Sequence, residues 1–415
     1  MAEAPSPYAP GIISHERAPP RPPARPVVFL VATFVMTALA AGLWQTWAWR
    51  PNAEADGGSP VDLFRILATA PAILGLLWAY LSDRVPVMGS RREGYVVLAG
   101  LVTAVVWLGV AAGDDHPWAW RAAALPFGLA DAVSRVAILG ALAQIGRRRT
   151  TTGRLAALNV GLAELALLGA RALMMPFSDA SIWLTAGIAV GLALALVLLV
   201  VALSDDDAPA LAAAPETHVG IPSFLRSRAF WASLPVLACA GILTMSEATR
   251  HLSPRVTDDV DRWQMQRWFS GAGMIGASIG YTILCRRIRF RNLLRLALLV
   301  KLLMLVGALG VARTGARDLV VLMLATGDGL VAIAVLDLAL RAAPPGREAF
   351  GAVALHGAWI VIKSFSGPVT LFLMRMTPLW TLYALGAAIV GIFAASLLPR
   401  AIAGTSDGQV IGSPP

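Results

Sequence analysis

Residues 81–95 read Leu-Ser-Asp-Arg-Val-Pro-Val-Met-Gly-Ser-Arg-Arg-Glu-Gly-Tyr. Asp83 and Arg84 close one apolar stretch, Pro86 and Gly89 turn the chain, and Arg91 with Arg92 open the next. Proline and glycine are the strongest local breakers of a helical pattern. Two long apolar runs meeting at so short a basic turn read as two membrane helices folded back on each other. In lipid, backbone polar groups must be satisfied within each segment, so the runs are helices. The second half of the chain repeats the device: residues 285–295, Cys-Arg-Arg-Ile-Arg-Phe-Arg-Asn-Leu-Leu-Arg, also separate two apolar runs.

Outward from these loops, apolar stretches recur at 26–49, 61–81, 95–112, 118–145, 155–175, 182–203, 229–249, 264–285, 293–311, 318–340, 350–374 and 379–398. A spanning helix needs about 20 apolar residues, so twelve helices use most of the 415-residue chain. The composition agrees: 57% of residues are hydrophobic, 14% are charged and the mean hydropathy is +0.68. A soluble chain carries roughly 25% charge. An ordinary soluble enzyme, a disordered protein and a nucleic-acid binder are therefore excluded, despite a net charge of +9. The expected fold is an all-α integral membrane protein with two six-helix bundles.

Arginine placement sets the orientation. Inner loops collect Arg84, Arg91, Arg92, Arg147, Arg148, Arg149, Arg286, Arg287 and Arg289, whereas outer loops carry Asp114, Asp115, Asp258 and Asp259. The positive-inside rule then puts both termini in the cytoplasm of a bacterial inner membrane. The expected organisation is a disordered tail at 1–25, a first bundle at 26–203, a cytoplasmic linker at 204–228, a second bundle at 229–398 and a tail at 399–415. The proline- and arginine-rich first 25 residues lack the order of a cleavable signal peptide. Cys239 and Cys285 lie in or beside apolar segments and read as free thiols.

Two six-helix halves with matching basic loops resemble the major facilitator superfamily, whose halves are related by an axis along the membrane normal. Ser82-Asp83-Arg84, Gly89 and Arg91-Arg92 resemble its signature of an Asp-Arg pair followed by Gly-x-Arg-Arg. The longer loop is similar to the Leu-Ser-Asp-x-x-Pro-x-x-Gly-x-Arg-Arg-x-x-Tyr loop of the folate–biopterin transporter family. A light-harvesting assembly branch of facilitators has a similar loop. Gly280-Tyr281 with the basic run to Arg295, and Pro344-Pro345-Gly346-Arg347-Glu348 running on to Leu355, resemble two further segments of the folate–biopterin family. One position departs. That family usually shows two aspartates four residues apart in helix 4; here Asp131 holds the first position and Arg135 the second.

The loop has a physical reading of its own. Asp83 at a helix end can pair with Arg91 or Arg92 and face the N-terminus of a neighbouring helix, where the helix dipole favours an anion. Asp83, Arg84, Gly89, Arg91 and Arg92 form the candidate inner-gate latch.

Ionisable groups near the bilayer centre cost several kcal/mol and mark a pathway or a buried pair. Asp131 and Arg135 are four apart on one helix face and can pair. Asp62 and Arg65 sit near an outer helix end, as does Glu247. Glu164 and Arg171 share a face two turns apart. Asp328 and Lys363 have no oppositely charged residue within one turn, so a Lys363–Asp328 pair between neighbouring helices is an expectation. Asp131, Arg135, Glu164, Arg171, Asp328 and Lys363 are the candidate cavity residues. Lys301 is expected to snorkel or to pack on a neighbour. Trp44, Phe127 and Trp359 are candidate stacking groups.

No Cys/His cluster suggests a metal, no phosphate-binding glycine loop is present, and no cofactor or catalytic set is expected. The expected function is secondary transport of a small organic solute, folate- or pterin-like or another organic anion, by a monomer in lipid with protons as coupling ion. The alternative from the resemblance is an assembly factor or pigment carrier of the light-harvesting type.

Overall fold

The computed structural model describes residues 24–48, 74–88, 90, 92–113, 117–174, 182–203, 221–243, 260–312, 316–374, 379–399 and 402. Asp62, Arg65, Glu247, Gly89 and Arg91 lie outside the described residues, as do the side chains of Trp44 and Arg171.

The first half contributes α1 (Ala24–Ala48), α2 (Gly75–Arg84), α3 (Glu93–Ala112), α4 (Pro117–Arg149), α5 (Thr152–Met174) and α6 (Ile182–Leu203). A single turn, Ile221–Leu225, precedes the second half. That half contributes α7 (Arg228–Leu243), α8 (Val260–Leu284), α9 (Phe290–Ala312), α10 (Arg317–Ala342), α11 (Glu348–Met374) and α12 (Leu379–Ser396). Among the described residues, α3, α6 and the greater parts of α4, α5 and α10 are long and apolar enough to cross a membrane.

The packing repeats itself with an offset of six helices. In the first half α3 packs on α6, α1 on α5 and α3 on α4; in the second α9 packs on α12, α7 on α11 and α9 on α10. The halves meet through α5 on α8, its symmetry mate α2 on α11, and α4 on α10 and α11. None of α3, α6, α9 or α12 packs substantially across this seam. That leaves these four at the periphery, and three of them, α3, α6 and α12, are the most uniformly apolar. On α6, for example, Trp183, Ile188, Leu198 and Val201 are exposed.

Close approach across the seam relies on small residues, as expected where no hydrophobic force drives helices together in lipid. The Ser278 hydroxyl on α8 donates to the Ala157 carbonyl on α5. A methyl group at Gly161 would lie 2.9 Å from Ser278 Cβ, so glycine is what lets α5 come this near.

Candidate functional site

Two clusters of charge lie between the halves. The first lies where α2 ends and α11 begins. Asp83 ends α2 and is fully enclosed, and Arg92 immediately precedes α3. Arg92 Nη2 donates to Asp83 Oδ1 at 2.8 Å and to Glu348 Oε2 at 3.3 Å. Glu348 begins α11 in the other half. The Asp83 carboxylate also accepts the Ala349 N–H at 3.1 Å and the Phe350 N–H at 2.9 Å. These amides belong to the first turn of α11, where no intrahelical carbonyl is available to them. Asp83 therefore caps a helix of the opposite half while an arginine of its own half bridges both carboxylates.

Neighbouring contacts brace the cluster. Glu348 Oε1 accepts the Gly346 N–H at 3.0 Å. Arg147 of α4 donates to the Ala343 carbonyl. Arg84 and Arg347 each lie over the Tyr80 ring, at 5.1 and 5.3 Å from its centroid. Gly140 of α4 leaves the room that Arg92 needs. A methyl group there would collide with the guanidinium and lie 2.7 Å from Ala349 Cβ. Burial pushes the Asp83 carboxyl above its ordinary value near 3.8; Arg92 and the two amides pull it back without cancelling the effect.

The second cluster lies midway along α4 and α11. Arg135 Nε reaches both oxygens of Asp131 at 2.9 Å, one helical turn away. Its side chain stays 61% accessible although protein surrounds it. That combination places it on an internal space rather than on the outer surface. Across that space α11 presents His356, Trp359 and Lys363. The Lys363 ammonium lies 5.2 Å from the Trp359 ring centroid, and the His356 ring lies 5.4 Å from it. Arg135 and Lys363 are both close enough to act electrostatically on His356. Trp359 is 6% exposed, and its Nε1–H has no acceptor among the described residues. Phe127 of α4 is buried.

The remaining candidates separate from this group. Lys301 does not snorkel: it is 1% exposed, and its ammonium is 2.7 Å from Asp328 Oδ1. Asp328 thus pairs with α9, not with Lys363 as its position on α10 suggested. The reason is local. Gly327 carries no side chain, so the Lys301 stem lies against it, where a methyl group would come within 2.8 Å of Lys301 Cδ. Asp337 is fully buried, accepting from Arg341 Nε at 2.7 Å and from the Tyr281 hydroxyl at 2.9 Å. Both pairs knit the second half together. Glu164 is half-buried on α5.

Sequence reasoning overlooked Gly140 and gave Glu348 no role. Gly140 looks like any glycine in an alanine-rich helix. Glu348 did carry a signal, since it follows the Pro-Pro-Gly turn at the start of α11, where a carboxylate favours the helix dipole.

Two halves that repeat one packing scheme, bridged by the Asp83–Arg92–Glu348 cluster and bearing charge on the faces they share, define a major facilitator fold. Comparison with known structures agrees. The transporter FucP in the outward conformation aligns at a TM-score of 0.66 and 12% identity, over 90% of this chain and 96% of that one. A crystal structure of the E. coli fucose:proton symporter FucP aligns at 0.63 and 13%, over 90% and 96%. The proton:xylose symporter XylE, bound to 6-bromo-6-deoxy-D-glucose, aligns at 0.60 and 14%, over 91% and 95%. Residues 57–259 match the BT1 family, the folate–biopterin transporter family. The chain thus has the fold of major facilitator transporters, and residues 57–259 resemble the BT1 family. No curated protein sequence matches it.

Proposed function

We propose that this chain carries a small organic anion with an aromatic part across the membrane by alternating access. The carrying observation is the convergence of Arg135, His356, Trp359 and Lys363 on the faces of α4 and α11 between the halves. Cations there offer a counter-charge to a carboxylate, and a cation over an aromatic face contributes about 0.5–2 kcal/mol, more when desolvated. The unpartnered Trp359 Nε1–H adds a donor whose burial costs free energy until a ligand accepts from it. Asp131 and Glu164 join this cavity set, and Arg171 shares α5 with Glu164. Asp328 stands apart on its Lys301 pair.

In this reading residues 26–203 and 229–398 rock as two units about the 204–228 linker, with the cavity near the bilayer midplane. The Asp83–Arg92–Glu348 cluster is the inner gate, closed in the arrangement described above. The outward conformation named for the FucP relative accords with a closed inner end. Proton coupling runs through Asp131, Glu164 or Asp328.

A thermal-shift screen of the purified protein against folates, pterins, muropeptides and simpler aromatic carboxylates tests the reading. The expected result is a stabilising hit that Arg135→Ala and Lys363→Ala each abolish. Stabilisation by none of these anions would retire the substrate class. Unchanged uptake under a pH gradient, in wild type and in Asp328→Asn, would retire coupling at Asp328.

A further inference from the structure

The pseudo-symmetry invites a comparison of the two basic inner loops. In the first half, Arg92 is consumed by the latch and Arg84 lies on Tyr80. The equivalent loop of the second half carries Arg286, Arg287, Arg289, Arg291 and Arg295, and the sequence holds no Asp or Glu anywhere from 262 to 317. Arg286, Arg287 and Arg289 are exposed. The loop is short and pinned. Cys285 and Phe290 are buried on either side of it, and the Arg287 and Ile288 amides both bond the Leu284 carbonyl. Its charge stays fixed at the inner ends of α8 and α9.

Arg291 and Arg295 are four residues apart and share a face of α9. Arg291 Nη2 donates to the Leu398 carbonyl at 3.1 Å, and Arg295 Nη2 donates to the Ser396 hydroxyl. Both guanidinium groups thus sit in the seam between α9 and the end of α12, and each keeps a buried Nε with no partner among the described residues. Further along the seam the surface turns apolar. Leu299, Leu303 and Val306 on α9 are exposed at helical spacing, as are Val390 and Phe393 on α12 and Leu397 just beyond its end. A cationic head beside an exposed apolar surface is complementary to one kind of molecule. We infer that the α9–α12 seam is a binding site for an anionic phospholipid of the inner leaflet, its phosphate on Arg291 and Arg295 and an acyl chain along the apolar surface.

The first half supplies the contrast. The α3–α6 seam has a similar apolar surface, with Leu98, Leu101 and Val105 exposed. At the start of α3, however, stands the acid Glu93, where α9 has Arg291 close behind its first residue. A basic loop that served membrane orientation alone has no need to place two arginines in a lipid-facing seam.

The full-length protein is reconstituted in nanodiscs containing phosphatidylcholine and phosphatidylglycerol. It is then released, and the retained lipid is identified by native mass spectrometry. A surface arginine contributes roughly 1 kcal/mol to anionic-lipid attraction, about fivefold in affinity, so the pair gives phosphatidylglycerol a preference of roughly thirtyfold. Arg291→Gln with Arg295→Gln is expected to remove most of it while the inner-loop topology, read by cysteine accessibility, stays unchanged. If that variant fails to fold, Arg291→Gln and Arg295→Gln are made singly, and each should lower the preference about fivefold. Equal retention of both lipids, or a preference that survives these substitutions, overturns the inference. So does full displacement by millimolar inorganic phosphate, which would make this a free-anion site.

Discussion

Replacing Arg92 by glutamine tests the inner gate most directly. Arg92 is the sole cation hydrogen-bonded to Asp83 among the described residues, and it reaches Glu348 as well. Removing one partner of a buried ion pair costs roughly 3–5 kcal/mol, because the survivor is left uncompensated. Asp83 keeps two amide donors, which argues for the lower end. At about 3 kcal/mol the closed-to-open ratio falls by roughly a hundredfold. A proton limits the loss. Closure already raises the Asp83 pKa through burial, so the closed state binds protons more tightly than an open state with a hydrated carboxyl. Proton binding therefore favours closure below the raised pKa, with full effect below about 3.8, and the contribution fades as pH rises through the raised value. Without Arg92 this dependence should steepen.

Spin labels at Met88→Cys and Arg228→Cys, on the inner ends of the two halves, report the separation in Arg92→Gln. Pulsed electron-resonance distances should lengthen at neutral pH and shorten again as the pH is lowered toward the ordinary carboxyl range. Adding Asp83→Asn removes one of the two carboxylates left without Arg92 and should recover part of the closed population. An unchanged distance distribution at both pH values would refute the latch. So would a double variant as open as the single one.

Gly140→Ala gains about 1 kcal/mol of helix propensity in α4, but its methyl group strikes the Arg92 guanidinium, and overpacking costs roughly 1–3 kcal/mol. The same labels should show an opened inner end without a lowered melting temperature. Lys301→Met or Asp328→Asn alone should destabilise the protein by about 3 kcal/mol, seen as a fall in melting temperature in detergent. The double variant should recover most of that, because the cost lies in the unpaired charge. Tyr281→Phe leaves Asp337 with one donor fewer and should cost about 1–2 kcal/mol in the same assay. Trp359→Phe keeps the ring beneath Lys363 but deletes the Nε1 donor. A ligand found by thermal shift should then bind about tenfold more weakly, as expected for one hydrogen bond to a charged acceptor.

The amino-acid order alone determines the membrane class, the helical content and the loop that carries Asp83 and Arg92. These follow from local rules: lipid forbids unsatisfied backbone, and charge at helix ends is read within a few residues. The Asp131–Arg135 pair is equally legible, because a four-residue spacing on one helix fixes it. What the tertiary structure decided is which distant groups meet. Glu348 reaches Arg92 across a separation of 256 residues, and the two amides that Asp83 caps lie still further along. Gly140 matters only because α4 passes beside that contact. Asp328 had two lysines within chemical reason, and its helix position favoured Lys363. Lys301 holds it because α9 packs closely on α10 over Gly327, while Lys363 lies on Trp359. A charge in lipid must find a partner; the sequence states the need, and helix packing chooses between equivalent partners.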